Sequence, residues 1–341
     1  MTDSSLILGI ETSCDDTAAA VLDGLEVRSN VVSSQHEIHA EFGGVVPELA
    51  SRDHQRLIVP VVRQALEEAG CSASDLDAVA VTCGPGLPGS LMVGMTFGKA
   101  FARARGLPLV GVNHLEGHVY SVDLTEPPPR PYLCLIVSGG HTQLVHVDEG
   151  FEHAVLGQTR DDAAGEAFDK VAQLLDLGYP GGPAIDRLAR GGNPSFHDFP
   201  RSRLDDHDFS FSGLKTSVLY YLRDLKDEHG DETDAFLDAH RADICASFQQ
   251  AVVDVLVGAV RDASAATGAE HVAVVGGVSA NTALRSALQE ASATDGFGLY
   301  VPDLAFCMDN GAMIARAGAM HLAAGETASS TLDIHPRLTL E

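Results

Sequence analysis

Short apolar runs bounded by glycine and polar turns alternate along this chain with longer stretches of helical periodicity. Residues Leu6 to Glu11 read as a buried strand and Ala18 to Asp23 as a second. The polar turn Thr12-Ser13-Cys14-Asp15-Asp16-Thr17 lies between them. Apolar residues from Leu57 to Ala69 recur at helical spacing over Asp53 to Gly70. The preceding His36 to Pro47 reads as a loop whose two histidines, His36 and His39, lie at the surface. Ala78 to Thr82 is a strand that passes through a glycine-rich turn into a helix from about Leu91 to Ala104. Gly106 to Val112 is a further strand, and Asn113 caps the helix after it.

Glu126 to Pro131 is the strongest linker, because consecutive prolines cannot continue a helix. Beyond it, Tyr132 to Val137, the turn Ser138 to Thr142 and Gln143 to Val147 repeat the N-terminal hairpin. His271 to Asn281 echoes Ala78 to Gly86 as a strand ending in glycine before a helix. Two such copies imply a duplicated α/β architecture, the second lengthened by an insert of about residues 157–241. Within it, Asp162, Glu166 and Asp169 fall on one helical face, a candidate site or a solvated acidic helix, and Pro180 to Asp186 is a rigid turn before a helix. Asp243 to Val260 is an amphipathic core helix, and a small-residue helix begins near Cys307 with Asp309 as its cap.

With 341 residues the chain can form two domains, and 45% apolar residues suit a globular protein. No run approaches the roughly 18 apolar residues of a membrane span, and the first residues lack a basic leader. Six scattered cysteines without a C-x-x-C pair suit free thiols in a reducing cytoplasm. A net charge of −26 repels polyanions at low salt and reads as adaptation to a saline cytosol, where the Debye length is only about 3 Å at 1 M salt.

The candidate chemistry centres on His114-Leu115-Glu116-Gly117-His118. Positions four apart on a helix share a face, so both imidazoles can reach one metal ion, or form a polar helix pair. A zinc protease of the H-E-x-x-H type needs Glu directly after the first His, and Leu115 stands there. The turn at Asp15 and Asp16 can face phosphates through a metal or water, or simply serve turn chemistry. Asp309 is an alternative third metal ligand. A non-enzymatic nucleotide-dependent scaffold would keep the glycine turns without the ligand set.

These segments together resemble the bacterial-type TsaD family of tRNA N6-adenosine threonylcarbamoyltransferases, formerly described as O-sialoglycoprotein endopeptidases. The resemblance runs from about residue 6 to 322. It rests on Glu11 to Thr17, Gly43 to His54, His114 to His118, Val137 to Thr142, Asp161 to Lys170, Phe209 to Thr216, Gly276 to Asn281 and Asp309 to Met313. It implies duplicated actin/Hsp70/sugar-kinase-like (RNase H-like) lobes with the active site in the cleft between them. The first lobe would comprise residues 1–125 and 306–336, the second 126–305. The implied reaction moves a threonylcarbamoyl group from threonylcarbamoyladenylate to N6 of the adenosine just 3′ of the tRNA anticodon, in tRNAs reading codons that start with adenine, and releases AMP.

The resemblance places the metal ligands at His114, His118 and Asp309, for one Fe(2+) or Zn(2+) ion. Substrate contacts fall on Ile136, Val137, Ser138, Gly139, Gly140, His141, Asp169, Gly182, Asp186 and Asn281. The catalytic acidic turn maps to Glu11, Asp15 and Asp16, with Asp16 standing where Glu is common in relatives. Implied partners are tRNA, a TsaB-like paralogue and a TsaE-like P-loop ATPase, with no membrane. Lys99, Arg103, Arg105, Arg201 and Arg203 are candidate phosphate contacts, or else members of surface salt bridges.

Overall fold

The computed structural model describes residues 5–149, 152–329 and 331–340. The N-terminal stretch read as lacking a basic leader falls almost wholly outside them. The chain divides into two compact units, Met1–Pro127 with Pro302–Glu341, and Pro128–Val301.

The first unit opens with β1 (Leu6–Glu11), β2 (Asp16–Asp23) and β3 (Glu26–Ser34). A short α1 (His36–Ala40) and the long α2 (Pro47–Ala69) follow, then β4 (Ala78–Gly84), α3 (Pro88–Arg105), β5 (Leu109–Asn113) and α4 (His114–Ser121). The sheet order is β3-β2-β1-β4-β5. The first three strands run antiparallel, while β4 and β5 run parallel to β1. β1 and β4 are apolar almost throughout because helices cover both sheet faces; the edge strand β3 is largely exposed. On one face, α2 and α3 bury Ile58, Val61, Val62, Ala65 and Met95 against Leu8, Ile10, Val79 and Val81.

The second unit contains β6 (Tyr132–Val137), β7 (Thr142–Val147) and β8 (His153–Gln158). Next come α5 (Ala164–Leu174), α6 (Gly181–Ala189), α7 (Ser212–His229) and α8 (Thr233–Thr267). β9 (His271–Val275), α9 (Thr282–Asp295) and β10 (Gly298–Tyr300) complete it. The order β8-β7-β6-β9-β10, antiparallel in the first three strands and parallel thereafter, repeats the plan of the first unit. The duplication read from the sequence is therefore a topological fact. An 18-residue window of the α7–α8 stretch, with mean hydropathy 1.4, is apolar enough to pass as a membrane span, but 67% of that window is buried within the protein as core.

Local departures from the sequence reading have identifiable causes. His36–Ala40 is a helix, and His39 is fully buried: Gln35 Oε1 meets its Nε2 at 3.2 Å, and the backbone N–H of Val46 donates to its Nδ1. Asp162 lies outside α5, so the expected three-carboxylate helical face does not form. Instead Asp161 accepts from Phe211 N–H, Ser212 N–H and two serine hydroxyls at the start of α7, while Asp162 bridges Lys170 and Lys215. Burial works against ionised Asp161, but those donors hold its carboxyl down at about 2.

The chain then returns to the first unit as α10 (Leu304–Cys307) and α11 (Gly311–Ala323). α11 covers the other face of the first sheet at very short range. A Cβ on Gly9 would sit 2.2 Å from the Gly311 carbonyl oxygen and 2.5 Å from Ala315 N, and one on Gly311 would sit 2.4 Å from Ala20 N. Strand and helix backbones touch because neither position carries a side chain. A Gly9→Ala variant is predicted to lose about 1–3 kcal/mol in denaturant unfolding, because α11 must lift from β1; wild-type stability would show that the contact is not tight.

Candidate metal centre and substrate-contact residues

In the first unit the functional side chains gather where the parallel strands end. Glu11 is the last residue of β1, Thr82 lies near the end of β4, and His114 follows β5 directly. β1, β4 and β5 are neighbours in that order, so three residues far apart in sequence meet at one sheet edge. Asn113 caps α4 as expected, its side chain accepting from Leu115 N–H at 2.9 Å. Gly117, between the two histidines, leaves room for Ile314 and Met313 of α11.

That helix brings the third group. Asn310, not Asp309, is the cap of α11, accepting from Met313 N–H at 3.0 Å. Asp309 therefore stands one residue outside the helix and faces the histidines. Its Oδ1 lies 3.1 Å from His118 Nε2 and 3.6 Å from His114 Nε2. One donor atom from each of the three residues falls within 4.8 Å of the others, the arrangement of a metal-binding group. The rings of His114 and His118 meet edge-to-face at 4.8 Å. Two imidazoles and a carboxylate match the donor chemistry of a divalent transition ion.

Charge is concentrated around this group. Burial disfavours an imidazolium at His114, but the carboxylates of Asp309 and Glu11 outweigh it and lift the pKa to about 9. Burial likewise opposes ionisation of Glu11, yet the neighbouring His114 charge and hydrogen bond hold its carboxyl below the ordinary range. Glu11 is completely buried. Its Oε1 accepts from Ser13 N–H, and its Oε2 accepts from the Thr82 hydroxyl at 2.7 Å and meets His114 Nδ1 at 3.0 Å.

The neighbouring acids are held differently. Asp15 Oδ2 and Asp16 Oδ1 are buried without a hydrogen-bond partner among the described residues, and Asp15 Oδ2 lies 3.9 Å from His36 Nε2. Burial, then the charges of Asp309, Asp15 and Glu11, push Asp16 up to about 7. The same surroundings, burial first, raise Cys14 well above the usual thiol range. Beneath the turn sits His54, a residue the sequence reading quoted without a role. Burial lowers its pKa, so the ring is neutral. Its Nε2–H donates to the Cys14 carbonyl at 2.9 Å, leaving Nδ1 to accept from the Thr17 hydroxyl at 2.7 Å. The clue was its place at helical spacing from Ala50, Ile58 and Val61 on the buried face of α2.

The predicted substrate-contact residues form a second group, within the second unit. Ile136 and Val137 end β6, and Ser138 to His141 make the turn to β7, closed by Ser138 N–H donating to the His141 carbonyl. Gly165, at the start of α5, approaches this turn so closely that a Cβ would lie 2.5 Å from the Ser138 carbonyl oxygen. Gly276, with φ +89°, turns the chain beside Val137. Asp169 accepts from Gly181 N–H at 2.7 Å, which sets the start of α6 beside Gly182. Asp186 accepts from Thr282 N–H and its hydroxyl, and from Arg190. Asn281 caps α9 through Leu284 N–H and donates to Gln249 at 2.7 Å. Gln249 and Thr282 were missed because a single sequence offers no signal for them.

Of the proposed phosphate contacts, Lys99 donates to the Leu332 carbonyl, and Arg201 is paired with Asp254 and Asp198. Arg103, Arg105 and Arg203 are exposed.

Residues 26–316 match the model of the family TsaD, tRNA N6-adenosine threonylcarbamoyltransferase. A protein of that name from Salinibacter ruber is 68% identical over 336 residues, covering 98% of this chain and 100% of its own. Another, from Geobacillus thermodenitrificans, is 51% identical over 344 residues, covering 100% and 98%. Among solved structures, HypF from T. kodakarensis aligns with a TM-score of 0.60 at 13% identity, over 94% of this chain and 48% of its own. Component A of the Acidaminococcus fermentans (R)-2-hydroxyglutaryl-CoA dehydratase aligns at 0.54 and 17% identity, over 93% and 97%. Such low identities speak for the fold alone, the duplicated actin/Hsp70/sugar-kinase-like plan.

The raised pKa of Asp16 has a consequence for stability. The folded state keeps this proton up to about pH 7, whereas the unfolded chain releases it near 3.8. Stability is therefore lost as pH rises from about 4 through 7. In chelator-treated protein, Asp16→Asn is predicted to gain on wild type between pH 5 and pH 8, by up to about 4 kcal/mol. Equal pH profiles in denaturant unfolding would refute the assignment.

Proposed function

The chain belongs to the TsaD family of tRNA N6-adenosine threonylcarbamoyltransferases, and on that premise we propose how its residues divide the work. The reaction is threonylcarbamoyl transfer to adenosine N6 in tRNA. N6 attacks the carbamoyl carbon of threonylcarbamoyladenylate, the bond to the phosphate oxygen breaks, AMP leaves with that electron pair, and N6 loses a proton. The mixed anhydride is already activated, so positioning accounts for much of the catalysis.

The observation that carries the reading is the convergence of His114, His118 and Asp309 within 4.8 Å. These residues would hold one divalent ion, with Fe(2+) and Zn(2+) both suited to the donor set. When bound, the ion would take oxygen ligands from the donor and withdraw charge from them. Asp15 and Asp16 are the candidate proton acceptors, because each has a buried carboxylate oxygen with no internal partner. An Asp16 pKa of about 7 suits a base working near neutral pH. In the second unit, the exposed Gly139 and Gly140 and the turn after Gly276 would offer backbone N–H groups to the adenylate phosphate. Asp169, Gly182, Asp186 and Asn281 surround the starts of α6 and α9, where the nucleoside would rest.

Family membership also supports work with a TsaB-like paralogue and a TsaE-like ATPase. A cytoplasmic site of action fits a tRNA substrate and six scattered cysteines without a C-x-x-C pair.

The direct test supplies unmodified tRNA and threonylcarbamoyladenylate, with nucleoside analysis of the product and elemental analysis of the protein. Wild type should form the modified nucleoside and carry one ion per chain. Asp309→Ala and His114→Ala should lose both ion and product; full modification by Asp309→Ala would refute the metal reading. For tRNA contact, charge reversal at the exposed Arg103 and Arg105 is predicted to weaken binding several-fold at matched salt. Unchanged affinity would remove this patch from the interface.

A further inference from the structure

We propose that Glu11 is a positioning residue whose carboxylate fixes the orientation and tautomer of His114, and that it takes no part in proton transfer. This rests on the metal reading above.

Three observations point the same way. First, Glu11 is completely buried, and both of its oxygens are engaged. A general base needs an oxygen that reaches the substrate proton. Asp15 and Asp16 each have an oxygen without a partner, and Glu11 does not.

Second, the contacts have a direction. The Ser13 backbone N–H and the Thr82 hydroxyl both donate to Glu11. Oε2 remains as the acceptor for His114 Nδ1 at 3.0 Å, with the Ser13 hydroxyl oxygen 3.1 Å from the same nitrogen. An Nδ1–H aimed at a carboxylate leaves the Nε2 lone pair as the metal-ligating atom, and it is Nε2 that faces Asp309. Carboxylate, imidazole and metal site thus fall in series, an arrangement that orients a ligating histidine and raises its basicity.

Third, the two histidines are supported unequally. His118 Nδ1 is buried with no hydrogen-bond partner. His118 is held instead by its place on α4, where its carbonyl accepts from the Ser121 hydroxyl. Among the described residues, a carboxylate meets Nδ1 of His114 and none meets Nδ1 of His118. The reason is topological, because β1 ends beside β4, which in turn lies beside β5, whose end leads into His114.

The test measures Zn(2+) and Co(2+) binding to the metal-free full chain by competition with a chromophoric chelator, alongside turnover and thermal unfolding. Glu11→Gln should weaken ion affinity about 10–100-fold and shift the Co(2+) absorption spectrum. Its turnover should recover when excess ion is supplied. Thr82→Val, which removes one donor to Glu11 while keeping the side-chain shape, should change affinity in the same direction by a smaller factor, and it serves if Glu11→Gln fails to fold. Glu11→Gln with wild-type affinity and an unchanged Co(2+) spectrum but lost turnover would overturn the proposal and make Glu11 a participant in the chemistry. Loss of turnover that excess ion does not restore in an ion-loaded variant would do the same. A His114→Ala protein that still binds one ion at wild-type affinity would instead remove the metal reading itself.

Discussion

The contact on which the first unit depends is the backbone-to-backbone approach of α11 to β1 and β2. Gly9 and Gly311 make it, and a single methyl group at either would collide with main-chain atoms. The functional consequence lies at the helix start. Because Gly311 is pressed against β2, the helix begins there, and the residue in register to cap it is Asn310. Asp309 is thereby left outside the helix, with its carboxylate turned to the pair on α4. Two further ties hold α11 to the α4 segment: Arg316 to Asp123, and His321 to Glu116. Glu116, out of place for a protease, has a structural partner, and burial is outweighed there so that the His321 pKa rises to about 9.

So close an assembly of acids would be unstable without compensation. Glu11, Asp15, Asp16 and Asp309 crowd one sheet edge, in a chain that already carries a net charge of −26. The protein answers in two ways. One imidazolium, His114, lies between Glu11 and Asp309, and one carboxyl, Asp16, retains its proton to about pH 7. Both responses substitute protons for positive charge. A divalent cation at the Nε2 side of His114 would replace the first of these protons, which makes the metal-free and metal-bound forms two solutions of the same electrostatic problem.

Much of this architecture could be read from the chain. Apolar runs marked the strands, and their repetition marked the duplication, because strands covered on both faces must be apolar and hairpin turns must be polar. The i, i+4 histidines and the Asn113 cap were legible because both depend on local periodicity. What escaped depended on distant partners. Asp309 and Asn310 are both good capping residues, and the choice between them is made by Gly311 packing on β2. Asp162 has a helix-compatible spacing, but its neighbour Asp161 is drawn to the start of α7, fifty residues on. His39 looks like a surface residue in a polar stretch until Gln35 and the Val46 N–H satisfy its ring. Asp309, 191 residues from His118, read from the chain alone as a helix cap or a metal ligand, and only resemblance to a family chose between the two.

The two units show how one topology can be given two chemistries. In each, the first hairpin turn and the ends of the parallel strands gather candidate functional groups at the same edge of a 3-2-1-4-5 sheet. In the first unit those positions carry carboxylates and imidazoles, side chains that bind cations and exchange protons. In the second, the corresponding turn is Ser138-Gly139-Gly140, and the strand next to β6 ends in Gly276 at φ +89°. The exposed Gly139 and Gly140 leave backbone N–H groups open to an anion, which side chains at those positions would obstruct. Duplication supplies the two scaffolds, and substitution at strand ends, which leaves the buried cores untouched, is enough to make them different.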